Sequence, residues 1–116
     1  MTEARPGPPI QEVRWVGRAV VVQVTGDIDL SRSVDFQHEL LLLLDQRPER
    51  VVVDLAGVPY MDSSGVASLV KVLSRSRKAG IGLVLVGLSP RVQSLFQITR
   101  LDRVFQILST RQEALA

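Results

Sequence analysis

Cysteine is absent from this 116-residue chain, histidine occurs once, and aromatic residues make up only 4% of it. Each scarcity removes a class of function. Without cysteine there is no disulfide framework, zinc finger, iron–sulfur cluster or thiol nucleophile, and the single His38 cannot supply a multi-histidine metal shell. No metal centre and no cofactor are expected. Long apolar runs are missing too, because charged residues, Gly and Pro interrupt each one short of the about 18 residues that a membrane span needs. The polar, proline-rich start, Met1 to Pro9, contains nothing that reads as a signal peptide. A soluble cytoplasmic protein is the resulting expectation. The length suits one domain, with residues 1–10 read as a flexible polar tail and 11–116 as the folded unit.

Charge is balanced in total but not along the chain. Residues 1–58 carry six basic and nine acidic side chains, whereas residues 59–116 carry eight and three. The excess is mostly Arg, and the one notable basic cluster, Lys71, Arg75, Arg77 and Lys78, reads as a solvated helix face. No aromatic platform or reading motif accompanies it, so direct nucleic-acid binding is not expected.

What is present is a regular alternation of strand and helix signals. Val13 and Trp15, then Ala19 to Val24, flank Gly17-Arg18 as a hairpin. After the loop Thr25 to Leu30, Ser31 or Ser33 is placed to cap a helix that runs through Leu44 to about Arg47. Its stripe is Phe36, Leu40, Leu43 and Leu44, and Leu42 should point elsewhere. Spare leucines in the run Leu40 to Leu44 could meet a partner. Val51 to Val53 reads as a strand buried on both faces. Ser63 to Lys78 reads as a helix with a stripe through Val66, Leu69, Val70 and Leu73, closed by Gly80. Ile81 to Val86 is another buried strand. Ser89 and Pro90 open a helix carrying Val92, Leu95, Phe96 and Ile98. Val104 to Ile107 is a last strand, and Ser109 or Thr110 caps a terminal helix to Ala116. The order β-β-α-β-α-β-α-β-α predicts an α/β domain with a mainly parallel central sheet, an N-terminal hairpin and helices packed on it.

Catalytic constellations are mostly missing from the sequence. There is no G-x-S-x-G elbow, no G-x-x-x-x-G-K-S/T loop and no G-x-G-x-x-G. A serine hydrolase would need His38 within reach of Ser63. Asp27, Asp29 and Asp62 lack the spacing of a metal loop. What stands out is Tyr60-Met61-Asp62-Ser63-Ser64-Gly65, between a buried strand and an amphipathic helix. Asp62 or Ser63 would cap that helix. A phosphate on a serine there would carry about −1.5 to −2 charges and be tolerated by the helix N-terminus, changing what the surface binds rather than the fold.

The stretch Asp54-Leu55-Ala56-Gly57-Val58-Pro59 through to Gly65, followed by Val66 to Leu73, resembles the signature of the STAS-domain anti-sigma factor antagonists. Thr25-Gly26-Asp27-Ile28-Asp29, Leu85 to Val92 with its Ser89-Pro90, and Leu95 to Asp102 agree with other segments of that family. The resemblance covers residues 10–116. It implies a STAS fold, no catalytic residues, and a role in partner switching. The unphosphorylated antagonist binds an anti-sigma factor with serine kinase activity and releases a sigma factor. That kinase phosphorylates a serine of the D-S-S/T-G motif, which lowers affinity, and a PP2C-type phosphatase restores it. Carried over by position, Ser63 is the phosphorylated residue, with Ser64 its neighbour. Asp27, Asp29, Asp62, Ser64, Gly65 and Ala67 are the candidate partner-binding residues, on the condition that the Asp27–Asp29 loop lies beside Ser63. A monomer or weak homodimer is expected. STAS domains also serve as adaptor subunits on the ATPase of lipid-transport ABC systems and as components of stress-signalling assemblies; the intact Asp62-Ser63-Ser64-Gly65 favours the switch.

Overall fold

The computed structural model describes residues 7–116. Among these residues five strands and four α-helices follow one another as β1 (Ile10–Val16), β2 (Ala19–Thr25), α1 (Leu30–Asp45), β3 (Arg50–Gly57), α2 (Ser63–Ala79), β4 (Gly82–Val86), α3 (Pro90–Ile98), β5 (Gln106–Leu108) and α4 (Arg111–Leu115). The sheet order is β1-β2-β3-β4-β5. β1 is antiparallel to β2, and every later neighbour pair is parallel. The expected α/β architecture and element order are therefore present.

Alternation along the strands sorts side chains to two faces. Val20, Val22, Val24, Val51, Val53, Leu55, Leu83 and Leu85 point to one face, where α1, α2 and α3 cover them with Phe36, Leu40, Leu69, Val72, Val92 and Phe96. Phe96 meets Phe105 edge-on, ring centroids 5.5 Å apart. Val21, Val52, Val84 and Val86 point to the other face, where Ala114 and Leu115 of the short α4 lie on them. The C-terminal helix is anchored by polar contacts as well. Arg111 Nε donates to Asp54 Oδ2 at 2.6 Å, and Arg50 donates to the Ala114 carbonyl at 2.5 Å.

Helix boundaries follow their caps. Asp62 caps α2, and Gly80, with φ 71°, occupies the left-handed position just after its end. Ser89 caps α3 with Pro90 at the first helical position, and Thr110 closes a capping box with Glu113 on α4. As expected, Phe36, Leu40, Leu43 and Leu44 are buried, and Leu42 is exposed.

Several boundaries and faces depart from the expectation. α1 begins at Leu30, capped by Asp29 rather than by Ser31 or Ser33, because the preceding loop stays extended as far as Ile28. Ser33 is instead a buried residue of the helix. Val70, on the apolar stripe of α2, and Ile98, among the apolar residues of α3, are 42% and 81% exposed. Each helix meets the sheet along one narrow line, and these two lie beyond it. β3 continues past Asp54 to Gly57, since Asp54 is ion-paired to Arg111 and Leu55 returns to the core. The last strand is Gln106–Leu108, displaced past Val104 by a 3-10 turn at Leu101–Arg103 that follows left-handed Arg100. At the N-terminus, Ile10 pairs with Val24 and Pro9 accepts a hydrogen bond from Thr25, so the folded unit takes in residues assigned to the tail. The expected tail over residues 1–6 lies outside the described residues.

Candidate functional site

Parallel β2 and β3 deliver the two loops of interest to the same end of the sheet. There the loops are tied together. Gly26 N–H donates to the Gly57 carbonyl (2.9 Å), Ile28 N–H to the Tyr60 carbonyl (3.0 Å), and Asp62 N–H to the Ile28 carbonyl (3.1 Å). Ile28 and Met61 form a parallel bridge, and both side chains are buried. This pairing meets the condition on which Asp27 and Asp29 were placed beside Ser63.

From that junction α1 and α2 start side by side with the same device. Asp29 Oδ1 accepts from Ser31 N–H at 3.0 Å and from Ser31 Oγ at 2.6 Å. Asp62 Oδ1 accepts from Ser64 N–H at 2.9 Å, from the Ser64 hydroxyl, and more weakly from Gly65 N–H at 3.4 Å. Each carboxyl is held below its ordinary value, Asp29 chiefly by the Ser31 hydroxyl and Asp62 chiefly by the Ser64 hydroxyl. Burial opposes the shift in both cases, and the nearby Asp62 charge opposes it a little for Asp29.

The two serines of the motif stand differently. Ser64 is half-buried with its hydroxyl committed to Asp62. Ser63 is the first residue of α2, exposed, and among the described residues its hydroxyl makes no hydrogen bond. Ala67, one turn later, is also exposed, as is Asp27 in the facing loop. Gly65 is buried for a steric reason: a Cβ there would lie 2.6 Å from Met61 Cγ, 2.8 Å from Ile28 Cγ2 and 3.1 Å from the Ile28 carbonyl oxygen. Only glycine lets the helix start sit this close to the other loop.

Three positioning contacts carried no signal in the sequence, because each joins distant residues. The Arg32 guanidinium donates to the carbonyls of Asp27 (2.7 Å), Thr25 (3.0 Å) and Gly7 (3.0 Å), holding the Asp27 loop. Ser68 Oγ lies 3.1 Å from both the Ser33 and Ser64 carbonyls and so bridges α1 and α2. Arg91 sits over the Tyr60 ring, 5.8 Å from its centroid. His38, the one available imidazole, is exposed on α1, and no hydrogen bond joins it to Ser63 among the described residues. The hydrolase reading gains no support. Lys71, Arg75, Arg77 and Lys78 are all exposed on α2, and among the described residues no group of acidic or His side chains could hold a metal ion. No helix among them is long and apolar enough to cross a membrane.

A five-stranded sheet with an N-terminal hairpin, and an Asp-capped helix that starts with an exposed Ser after its central strand, define a class of small α/β domain. The STAS domain family model matches residues 11–114. The chain is 32% identical over 88 residues to the anti-sigma-B factor antagonist of Bacillus subtilis, covering 76% of this chain and 80% of that protein. It is 32% identical over 90 residues to the anti-sigma-B factor antagonist of Listeria monocytogenes, covering 78% and 79%. Among solved structures, an anti-sigma factor antagonist from Mycobacterium paratuberculosis superposes with a TM-score of 0.82 at 25% identity, covering 90% of this chain and 88% of that one. The chain belongs to the STAS-domain family of anti-sigma factor antagonists.

Proposed function

We propose that this protein is a partner-switching antagonist that binds an anti-sigma factor through the surface around Ser63 and is turned off by phosphorylation of that serine. The observation that carries the reading is the unequal state of the two serines. Asp62 binds the Ser64 hydroxyl and leaves Ser63 exposed with an uncommitted hydroxyl at the first position of α2. A kinase requires an accessible oxygen that is free to attack. The helix N-terminus tolerates the added charge, so the product stays folded.

The same geometry supports an electrostatic off-switch. Asp27, Asp29 and Asp62 border Ser63 on two tied loops, and both capping carboxyls ionise more readily than usual. A phosphate would add to a surface that is already negative and crowd any close contact there. A loss of about 3–4 kcal/mol would weaken binding by two to three decades. Asp27, Ser63 and Ala67 are the proposed contact residues, while Asp29, Asp62, Ser64 and Gly65 position them. The partners are an anti-sigma factor with serine kinase activity and a PP2C-type phosphatase, acting in the cytoplasm. The domain serves as substrate and binding surface, and brings no catalytic group of its own.

The test is intact-mass analysis after incubation with the partner kinase and ATP. The wild type should gain one phosphate, Ser64→Ala should gain it too, and Ser63→Ala should gain none. Phosphate on Ser63→Ala would sink the assignment. Capture of an ABC ATPase equally by wild type and Ser63→Asp would favour the adaptor role instead.

A further inference from the structure

The sheet has two edges, and they are unlike. β5 is three residues long, whereas β1 presents seven residues, six of them exposed. Among the described residues no strand pairs with the outer side of β1, and such an edge offers unpaired backbone groups to another strand. We infer that β1 is the interface of a two-fold symmetric dimer, in which β1 pairs antiparallel with β1 of a second copy about Val13.

Backbone alternation fixes which groups are available. Val16 and Ala19 flank a two-residue turn whose first residue, Gly17, has φ 60°, which makes them a pair that exchanges both hydrogen bonds. Counting back along the register, Arg14–Val21 and Glu12–Gln23 are bonded pairs as well. The hydrogen bond from Thr25 N–H to the Pro9 carbonyl keeps that alternation on β2. The N–H and C=O groups of Val13 and Trp15 therefore point away from β2, toward the open edge.

Side-chain charge then selects the register. Glu12 and Arg14 share one face of β1, with Arg14 Nη2 3.4 Å from Glu12 Oε1. Centring the two-fold on Val13 makes Val13 face its copy as a bonded pair and puts Glu12 opposite the copy's Arg14, twice. Those are non-bonded pairs, the kind in which cross-strand side chains approach most closely. Centring on Glu12 or on Arg14 would instead set like charges face to face. Mixed charge on an edge strand repels most foreign strands, and here it matches the strand's own copy. On the opposite face, Val13 and Trp15 are 42% and 43% exposed, and the pairing would bring both from each copy into one apolar patch. Centring on Val13 satisfies the charge order, the outward backbone groups and the apolar patch together. This inference is independent of the role of Ser63.

Trp15 is the only tryptophan of the chain, so its fluorescence reports directly on the interface. Sedimentation of the full chain up to about 1 mM should show a reversible monomer–dimer equilibrium, with Trp15 emission moving to the blue as dimer forms. Arg14→Glu and Glu12→Arg should each weaken association by roughly tenfold. The double swap should restore it, and an equal mixture of the two single variants should form heterodimer. Val13→Pro removes an outward N–H that β2 does not use, so it should abolish dimerisation with the circular dichroism of the fold retained. A wild type that stays monomeric throughout, or a dimer unaffected by either charge reversal, would overturn the proposal and leave the edge to a different strand.

Discussion

α1 and α2 start from the same junction with the same cap, Asp29 with Ser31 and Asp62 with Ser64, yet they differ at the first and third helical positions. α1 has Leu30, 73% exposed, and Arg32; α2 has Ser63 and Gly65. The shared part is helix-start chemistry, which satisfies orphan N–H groups in either place. The differences separate the scaffold from the proposed switch. Arg32 reaches back to hold its loop, Gly65 lets the other loop come close, and only α2 offers a hydroxyl at the exposed head.

The largest effect should come from charge at that head. Ser63→Asp is expected to weaken binding to the anti-sigma factor by about two to three decades, read by titration calorimetry. Leu30→Ser combined with Ser63→Ala gives α1 the same capped serine, and mass analysis should show no phosphate after kinase treatment. If phosphate appeared at residue 30, the capped serine alone would be what the kinase reads, and the distinction between the two helix starts would collapse.

Next in size is packing. Gly65→Ala should destabilise the fold by about 1–3 kcal/mol in urea denaturation, because the new methyl meets Met61, Ile28 and backbone. Removing a cap should cost less. Asp62→Ala and Asp29→Ala are each expected to lower the urea midpoint by less than Gly65→Ala does, and similar shifts would support treating the caps as equivalent scaffold.

The smallest effect is a pH dependence. Both carboxyls are lowered from 3.8 in the folded protein, so their contribution is fully present above that value. It is lost as pH falls through the lower folded values. Thermal melts should therefore show Asp29→Asn and Asp62→Asn less stable than wild type at neutral pH, and the gap closing below about pH 4. A gap that persisted in acid would assign the loss to packing.

Much of this was legible in the residues. Local devices announced themselves: Gly80 after α2, Ser89-Pro90 before α3, the Gly17-Arg18 turn, and valine runs for central strands. Asp29 was misread because Asp29, Ser31 and Ser33 are all good caps, and the choice rests on the bridge between Ile28 and Met61, across a gap of 33 positions. Val70 and Ile98 were misread because a periodic stripe marks the apolar side of a helix without giving the width of its contact. At the candidate site, the motif singled out Ser63 and Ser64, and the difference between them depends on a rotamer. Arg32, Ser68 and Arg91 act through carbonyls or a ring, which no residue pattern encodes.

The close seat of Gly65 on Ile28 has a further consequence. A helix start clamped by backbone bonds and a missing side chain has little freedom to recoil from an added phosphate. The signal would then leave the domain as an electric field rather than as a change of shape. Its reach would be set by the solution, about 8 Å at physiological salt and about 3 Å at 1 M, so the contrast between the on and off forms should fade as salt is raised.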